Sequence, residues 1–242
     1  MTTSGQTIIE MNSTTLIAAA LRKIGALALG QIAETQETTN AMEALNNLVA
    51  EYQTLGMPLW ARKTYSPTLT VGVGQYSVGI GQTWNTPFFL KVLQAWLVTT
   101  TGGSKQELYP NAIDNFNRLP TQQSASGSPS QYMYQPFINF GQFNIWPLPD
   151  STTVSTKTLT ISYMAPFEGF VNTTDTPYFP REWNNALIYG LASLLAPEYG
   201  IPLNDQGLFQ RLAMEHKETA LDFGVENASL TFQPSQRFYD HS

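Results

Sequence analysis

Residues 14–60 read TTLIAAALRKIGALALGQIAETQETTNAMEALNNLVAEYQTLGMPLW, and the spacing of the apolar residues here decides the fold expected for the chain. Leu16, Ala20 and Ile24 fall on one stripe, with Ile17, Leu21 and Ala28 beside it, while Met42, Leu45, Val49 and Tyr52 recur at spacings of three and four. That is the period of a helix burying one face, so the stretch predicts two amphipathic helices joined by a short polar turn. Ser13 or Thr14 is placed to cap the first, and Gly25 or Gly30 to end it. Thr38, Thr39 or Asn40 would cap the second, with Gly56 and Pro58 stopping it. An antiparallel pair with one apolar seam is a base on which more helices pack.

The far end of the chain supplies them. Residues 180–197 regain the helical period, with Trp183, Leu187, Leu191 and Leu194 as the buried stripe and Pro180 suited to the start. A further helix over 205–223 is expected to bury Phe209, Leu212, His216, Ala220 and Phe223. Between the helical ends the period changes to that of strands. TLTISYM (158–164) alternates cleanly, segments 132–138 and 142–148 flank a turn, and 88–101 is answered by 105–109 across Gly102 and Gly103. The glycine-rich run 72–81 reads as a hairpin, since it lacks the strand and helix that flank a dinucleotide loop. The expected fold is α+β: N- and C-terminal helices forming one bundle (1–62 and 178–224), a central inserted antiparallel β-module (63–177) of sandwich or open-barrel type, and an extended C-terminal arm (225–242).

Composition narrows the function classes. Lys and Arg number 12 against 18 Asp and Glu, giving a formal net charge of −6. Neutralising phosphates takes clustered cations, so a dedicated nucleic-acid surface is not expected. Only 12% of residues are charged, against roughly 25% in an average soluble domain. A surface of neutral polar groups suits a protein that lies against partners. The chain has no cysteine, which excludes disulfides and thiolate-ligated metals. Residues 1–12 lack the basic-then-apolar order of a secretory signal, and Arg22 and Lys23 interrupt the longest apolar run. A soluble protein made in the cytoplasm, without membrane contact, is expected.

Chemistry has little raw material. His216 and His241 are the two histidines; the first sits on an apolar helical stripe and the second in the tail, so neither a metal centre nor a nucleophile triad is expected. Glu107, Asp114, Asp150, Glu168, Asp175 and Glu182 could form a carboxylate pair of the kind that cleaves glycosides, but no motif singles out two of them. Trp60, Trp84, Trp96, Trp146 and Trp183 read as core residues, with Trp84 beside Pro87 the one that a sheet edge could expose. No cofactor is expected. Two segments suggest partners instead. Phe232, Arg237, Phe238 and Tyr239 lie in a tail without helical period, as anchors at interfaces do. Ser124, Ser126, Gly127, Ser128 and Pro129 lie in TQQSASGSPSQ (121–131), which has no hydrophobic residue larger than alanine. Such a segment is expected to be a mobile loop or one that orders on a partner.

Taken in order, ALRKIGAL (20–27), the second helix ending LGMPLW (55–60) and TLTVGVGQYSVGIG (68–81) resemble the head-to-tail adaptor proteins of tailed bacteriophages. Those include the accessory factors that close the portal and the tail tubular protein A group. Ala20, Leu21, Arg22 and Gly25 match the first motif of that family. Leu45, Leu48, Tyr52, Gly56 and Trp60 match the second, Tyr52 standing where tryptophan is common, and Thr68, Leu69, Gly74, Tyr76, Gly79 and Gly81 match the third. The resemblance implies a non-enzymatic structural protein of the virion neck or tail. It implies a homo-oligomeric ring, twelve copies in the particle, between the portal protein and a tail nozzle or tail tube protein. Such a ring lines the channel through which DNA passes unread and helps retain the packaged genome. A rival reading of the same β-rich chain is a tail or baseplate component that binds a carbohydrate or a tail fibre.

Overall fold

A computed structural model describes residues 11–54, 61–119, 124–176 and 179–223. Helix α1 (Ser13–Lys23) is capped one residue earlier than expected: the Asn12 side chain accepts the Thr15 N–H at 2.9 Å. Ser13 is buried, and its N–H and hydroxyl donate to the carbonyls of Asp175 and Asn172. Helix α2 (Thr35–Thr54) also begins ahead of Thr38, Thr39 and Asn40, because the Glu37 carboxylate reaches back to accept the Glu34 N–H at 3.0 Å. That is half of a capping box. The Thr38 and Thr39 hydroxyls donate within the helix to carbonyls four residues back.

The strands follow: β1 (Arg62–Tyr65), β2 (Gln75–Val78), β3 (Lys91–Thr99), β4 (Lys105–Pro110), β5 (Ser126–Gly127), β6 (Gln131–Pro136), β7 (Gly141–Trp146), β8 (Leu148–Pro149) and β9 (Lys157–Met164), with short helices α3 (Ile113–Asn117) and α4 (Ser151–Thr156) among them. A 3-10 turn at Arg181–Trp183 leads into α5 (Asn184–Leu195), and α6 (Leu203–Phe223) closes the described chain. Seven strands form one sheet in the order β1-β9-β3-β4-β6-β7-β2, curled into a half-barrel. A register shift between Val92 and Gln94, where β3 meets β9, is the kind of irregularity that bends a strand. The core packed on the sheet is rich in aromatic rings. Trp84 stacks on Tyr76 with ring centroids 4.4 Å apart, Tyr132 stacks on Phe143 at 5.3 Å, and Phe89 packs on Tyr163 at 4.1 Å.

This corrects the expected fold class. The organising body is a curled, mixed seven-stranded sheet with six helices among the described residues, not a terminal helical bundle carrying an inserted antiparallel β-module. Strands β4 and β6 run parallel. Parallel neighbours need a crossover of a dozen or more residues, and residues 111–130 provide it. Hydrophobic period locates strands one at a time; which strands pair, and in which sense, is set by contacts far apart in sequence. The expected hairpin at 72–81 fails for the same reason, since β2 pairs with β7, some 65 residues on. Part of the expected 121–131 loop lies in a strand. From Ser124 onward it carries β5, which pairs in parallel with β8.

A second apolar cluster is built by the helices. Leu16, Ile17 and Leu21 of α1, Leu45 and Leu48 of α2, and Leu187 and Leu191 of α5 are all within 3% of complete burial. Helix α6 lies on α5 with Ala220 buried and Phe209 partly so. Among the described residues no helix is long and apolar enough to cross a membrane.

Candidate interaction surfaces

Several of the residues singled out for chemistry have local structural partners. Asp150 caps α4, accepting the Thr153 N–H at 2.7 Å, and hydrogen bonding from the Thr153 side chain, with this backbone bond second, holds its carboxyl below the usual aspartate value. The Asp175 carboxylate accepts the N–H groups of Asn172 and Val171, with the same consequence. Glu182 pairs with its neighbour Arg181 at 3.2 Å. His216 stacks on the Tyr189 ring at 4.8 Å. Lys157 donates to Ser128 Oγ at 2.9 Å, yet also to Gln106 Oε1 at 2.8 Å, and Ser128 itself donates to Gln106. That triangle joins β9 and β4 to the crossover. Trp84 takes the core position expected of the tryptophans rather than the exposed edge open to it: it is 4% exposed and sealed among Tyr65, Tyr76 and Phe143.

What the surface offers is apolar. At one end of the half-barrel the turn 137–140 joins β6 to β7, closed by the Phe137 N–H on the Phe140 carbonyl at 2.8 Å. The Phe137 and Phe140 rings stack at 4.8 Å. Beside it lies the turn 79–82 that follows β2, closed by Gln82 N–H on the Gly79 carbonyl. Gly79 fits this contact because a Cβ there would stand 3.3 Å from Phe140 Cβ, tighter than ordinary packing. The two adjacent turns each carry exposed apolar residues: Ile80, 77% exposed, on one, and Ile138, 92% exposed, and Phe137 at 38% on the other. Single exposed aliphatics need no explanation, but grouped ones mark interaction sites. A separate pair, Leu29 and Ile32, stands out between α1 and α2.

The sequence-derived partner residues fall unevenly. Phe232, Arg237, Phe238 and Tyr239 lie outside the described residues. Ser124 and Ser126 are exposed, Gly127 and Ser128 are half-buried, and Pro129 is buried, its carbonyl accepting a bond from Gln106. The Ile80–Ile138 tip and the Leu29–Ile32 turn escaped the sequence reading. A local signal exists for Ile80, between Gly79 and Gly81, and for Leu29, beside Gly30, where turn chemistry places the chain at the surface; Ile138 and Ile32 have none.

Comparison with known proteins agrees with a role in assembly. A sequence model of the SU10 adaptor protein family matches residues 11–226. No curated protein matches the sequence.

Proposed function

The chain belongs to the SU10 adaptor protein family, a family of structural phage proteins, and from that membership we propose that it is a ring-forming connector between the portal and the tail. As an adaptor it is a virion component that meets other virion components. In the proposed arrangement copies of the chain form a ring of about twelve beneath the portal protein. The tail nozzle or tail tube protein docks on the opposite side, and DNA passes through the lumen without sequence-specific contact. The net charge of −6 supports the last point, since an acidic wall repels the DNA backbone and leaves it free to slide.

The observation that carries this reading is the apolar tip of Ile80, Phe137 and Ile138 on the end of a curled sheet. It is held by two closed turns, it is adjacent to no catalytic constellation among the described residues, and it needs a protein partner to leave water. The segment 225–242, with Phe232, Arg237, Phe238 and Tyr239, is proposed as the arm that reaches the portal. Ser124 and Ser126, on the exposed side of the crossover, are proposed as a polar rim for a neighbouring chain. Such contacts form only once the partner is present, so the free protein is expected to be largely monomeric.

Imaging of particles in which the protein carries a visible tag tests the assignment: density at the neck supports it, and density at the distal tail favours a fibre-binding role. Deleting 225–242 should abolish portal binding while cooperative unfolding persists; undiminished binding removes the arm from the proposal.

A further inference from the structure

The turn between α1 and α2 is built to hold two aliphatic side chains in water. Leu27 is buried and Ala33 packs on the helices, which fixes both ends of the turn. Between them Gly30 takes a φ of +86°, a conformation that glycine adopts without steric cost. The Gln31 N–H donates to the Ala28 carbonyl at 3.2 Å, and the Gln31 side-chain oxygen accepts the Ala28 N–H at 3.3 Å. From this closed loop Leu29 and Ile32 project, 93% and 87% exposed. Arg22 flanks the loop on the α1 side and Glu34 on the α2 side. Both are exposed, and neither is in an ion pair among the described residues.

The same chain carries a groove of matching character. About 370 Å³ of space lies between α2 and α6 over Gly190 of α5, with Leu48 and Tyr52 on one wall and Met214 on the other. Glu51 stands on the α2 wall and Lys217 on the α6 wall, again without an ion pair among the described residues. A single leucine truncation opens a cavity of roughly 150 Å³, so the groove has room for two such side chains. Along α2, Glu34 and Glu51 are separated by about 25 Å at ~1.5 Å per residue. The loop therefore does not reach the groove of its own subunit.

We propose that the loop and the groove are the two halves of a head-to-tail contact between copies of this chain. Leu29 and Ile32 of one subunit seat between α2 and α6 of the next. The charges then fall in opposed pairs, Arg22 against Glu51 and Glu34 against Lys217, which fixes the direction of insertion. The inference rests on the ring reading above and names the contact that makes the ring. A contact whose halves differ is heterologous, and it closes into a ring only when the rotation per subunit fits. Two side chains in one groove form a smaller contact than the ~1,200 Å² of a standard stable interface. A lone pair of subunits is thus weakly held, and the contact accumulates only where each subunit makes it twice.

The absence of cysteine makes the test clean. Leu29→Cys and Met214→Cys are introduced together, particles carrying the variant are treated with a short bis-maleimide, and the products are run on a denaturing gel. The expected result is a ladder of multimers, with each single variant remaining monomeric. Protein present in many copies per particle without a ladder overturns the contact while leaving the adaptor reading intact. Dimers from Leu29→Cys alone also overturn it, since they mark a two-fold contact. Absence of the unsubstituted protein from particles overturns the adaptor reading and this inference with it. As a second measurement, Arg22→Glu should reduce incorporation at least tenfold, and Arg22→Glu with Glu51→Arg should restore it. Failure of the double variant to recover removes that charge pair from the contact.

Discussion

The Tyr52 hydroxyl donates to the Ala186 carbonyl at 3.1 Å, a bond between residues 134 positions apart that ties α2 to α5. The ring itself is held beside Trp183, with centroids 5.7 Å apart. Tyr52→Phe keeps the ring and removes only the bond. As a carbonyl within α5, Ala186 retains its helical partner, so the cost is that of one buried hydrogen bond, about 1 kcal/mol. A urea midpoint lowered at unchanged slope is the expected outcome. A midpoint equal to the parent's would show the bond to be idle.

Gly190 sits under the same bond. A Cβ at that position would stand 2.6 Å from Tyr52 Oη and 2.8 Å from Leu48 Cδ2, distances that force α2 and α5 apart. Overpacking of this kind costs about 1–3 kcal/mol, more than any gain in helix propensity from replacing a mid-helix glycine, roughly 0.5–1 kcal/mol. Gly190→Ala should therefore lower the melting temperature, and Gly190→Ala combined with Leu48→Ala should lose less than the sum of the two single losses, since the truncated side chain no longer meets the added methyl. A stabilised single variant would mean that the helices are not in close contact there.

How much of this was legible in the sequence follows from the range of each interaction. The helices α1, α2, α5 and α6 announce themselves because Leu16, Leu45, Leu187 and Ala220 repeat with a local period. The strand β9 does so through the alternation of Leu159 and Ile161 with threonine. The pairing of Gln75 with Asn144 and of Tyr109 with Gln131 has no local trace, and with it went the mixed, curled character of the sheet. Nor is there a local sign of Asn46, whose side chain both accepts the Phe170 N–H at 2.8 Å and donates to its carbonyl at 2.9 Å, pinning the strand-to-helix connection onto α2. At the surfaces, the polar stretch from Ser124 to Pro129 is marked by its composition and Ile80 by its flanking glycines, whereas Ile138 has no local mark because its place beside the 79–82 turn depends on residues about 60 positions away.

Stability should fall on the alkaline side. Burial withdraws the Tyr52 phenol from water, with the Glu51 carboxylate adding to the effect, and raises its pKa above the ordinary tyrosine value. Burial likewise pushes Tyr134 up to about 12, against hydrogen bonding to Phe89, and raises Tyr76 and Tyr132. In the unfolded chain these phenols titrate near ~10. Above that pH the folded state therefore holds more protons than the unfolded one, and stability falls as pH rises. The contribution is present in full below pH 10 and is lost progressively toward 12 and above. Urea midpoints measured from pH 8 to 12 should decline from about pH 10, with tyrosinate absorbance from these residues appearing together with unfolding. A midpoint that rises over that interval contradicts the burial of these phenols.

The apolar tip separates assembly from folding. Ile138 and Ile80 are 92% and 77% exposed on turns whose closure depends on backbone bonds, so replacing both with Asp removes almost no buried surface. Surface substitutions of this kind shift stability by about 0.5 kcal/mol or less, and the melting temperature of the Ile80→Asp, Ile138→Asp variant should match the parent. Its incorporation into particles, or the attachment of the tail to particles that carry it, should be lost, because two carboxylates would have to be desolvated where two aliphatic side chains were to be covered. Electron micrographs of particles made with the variant would count tailed against tailless heads. A normal proportion of tailed particles, with the variant present in them, would show that the tip faces solvent in the virion and that the contact to the tail lies elsewhere on the chain.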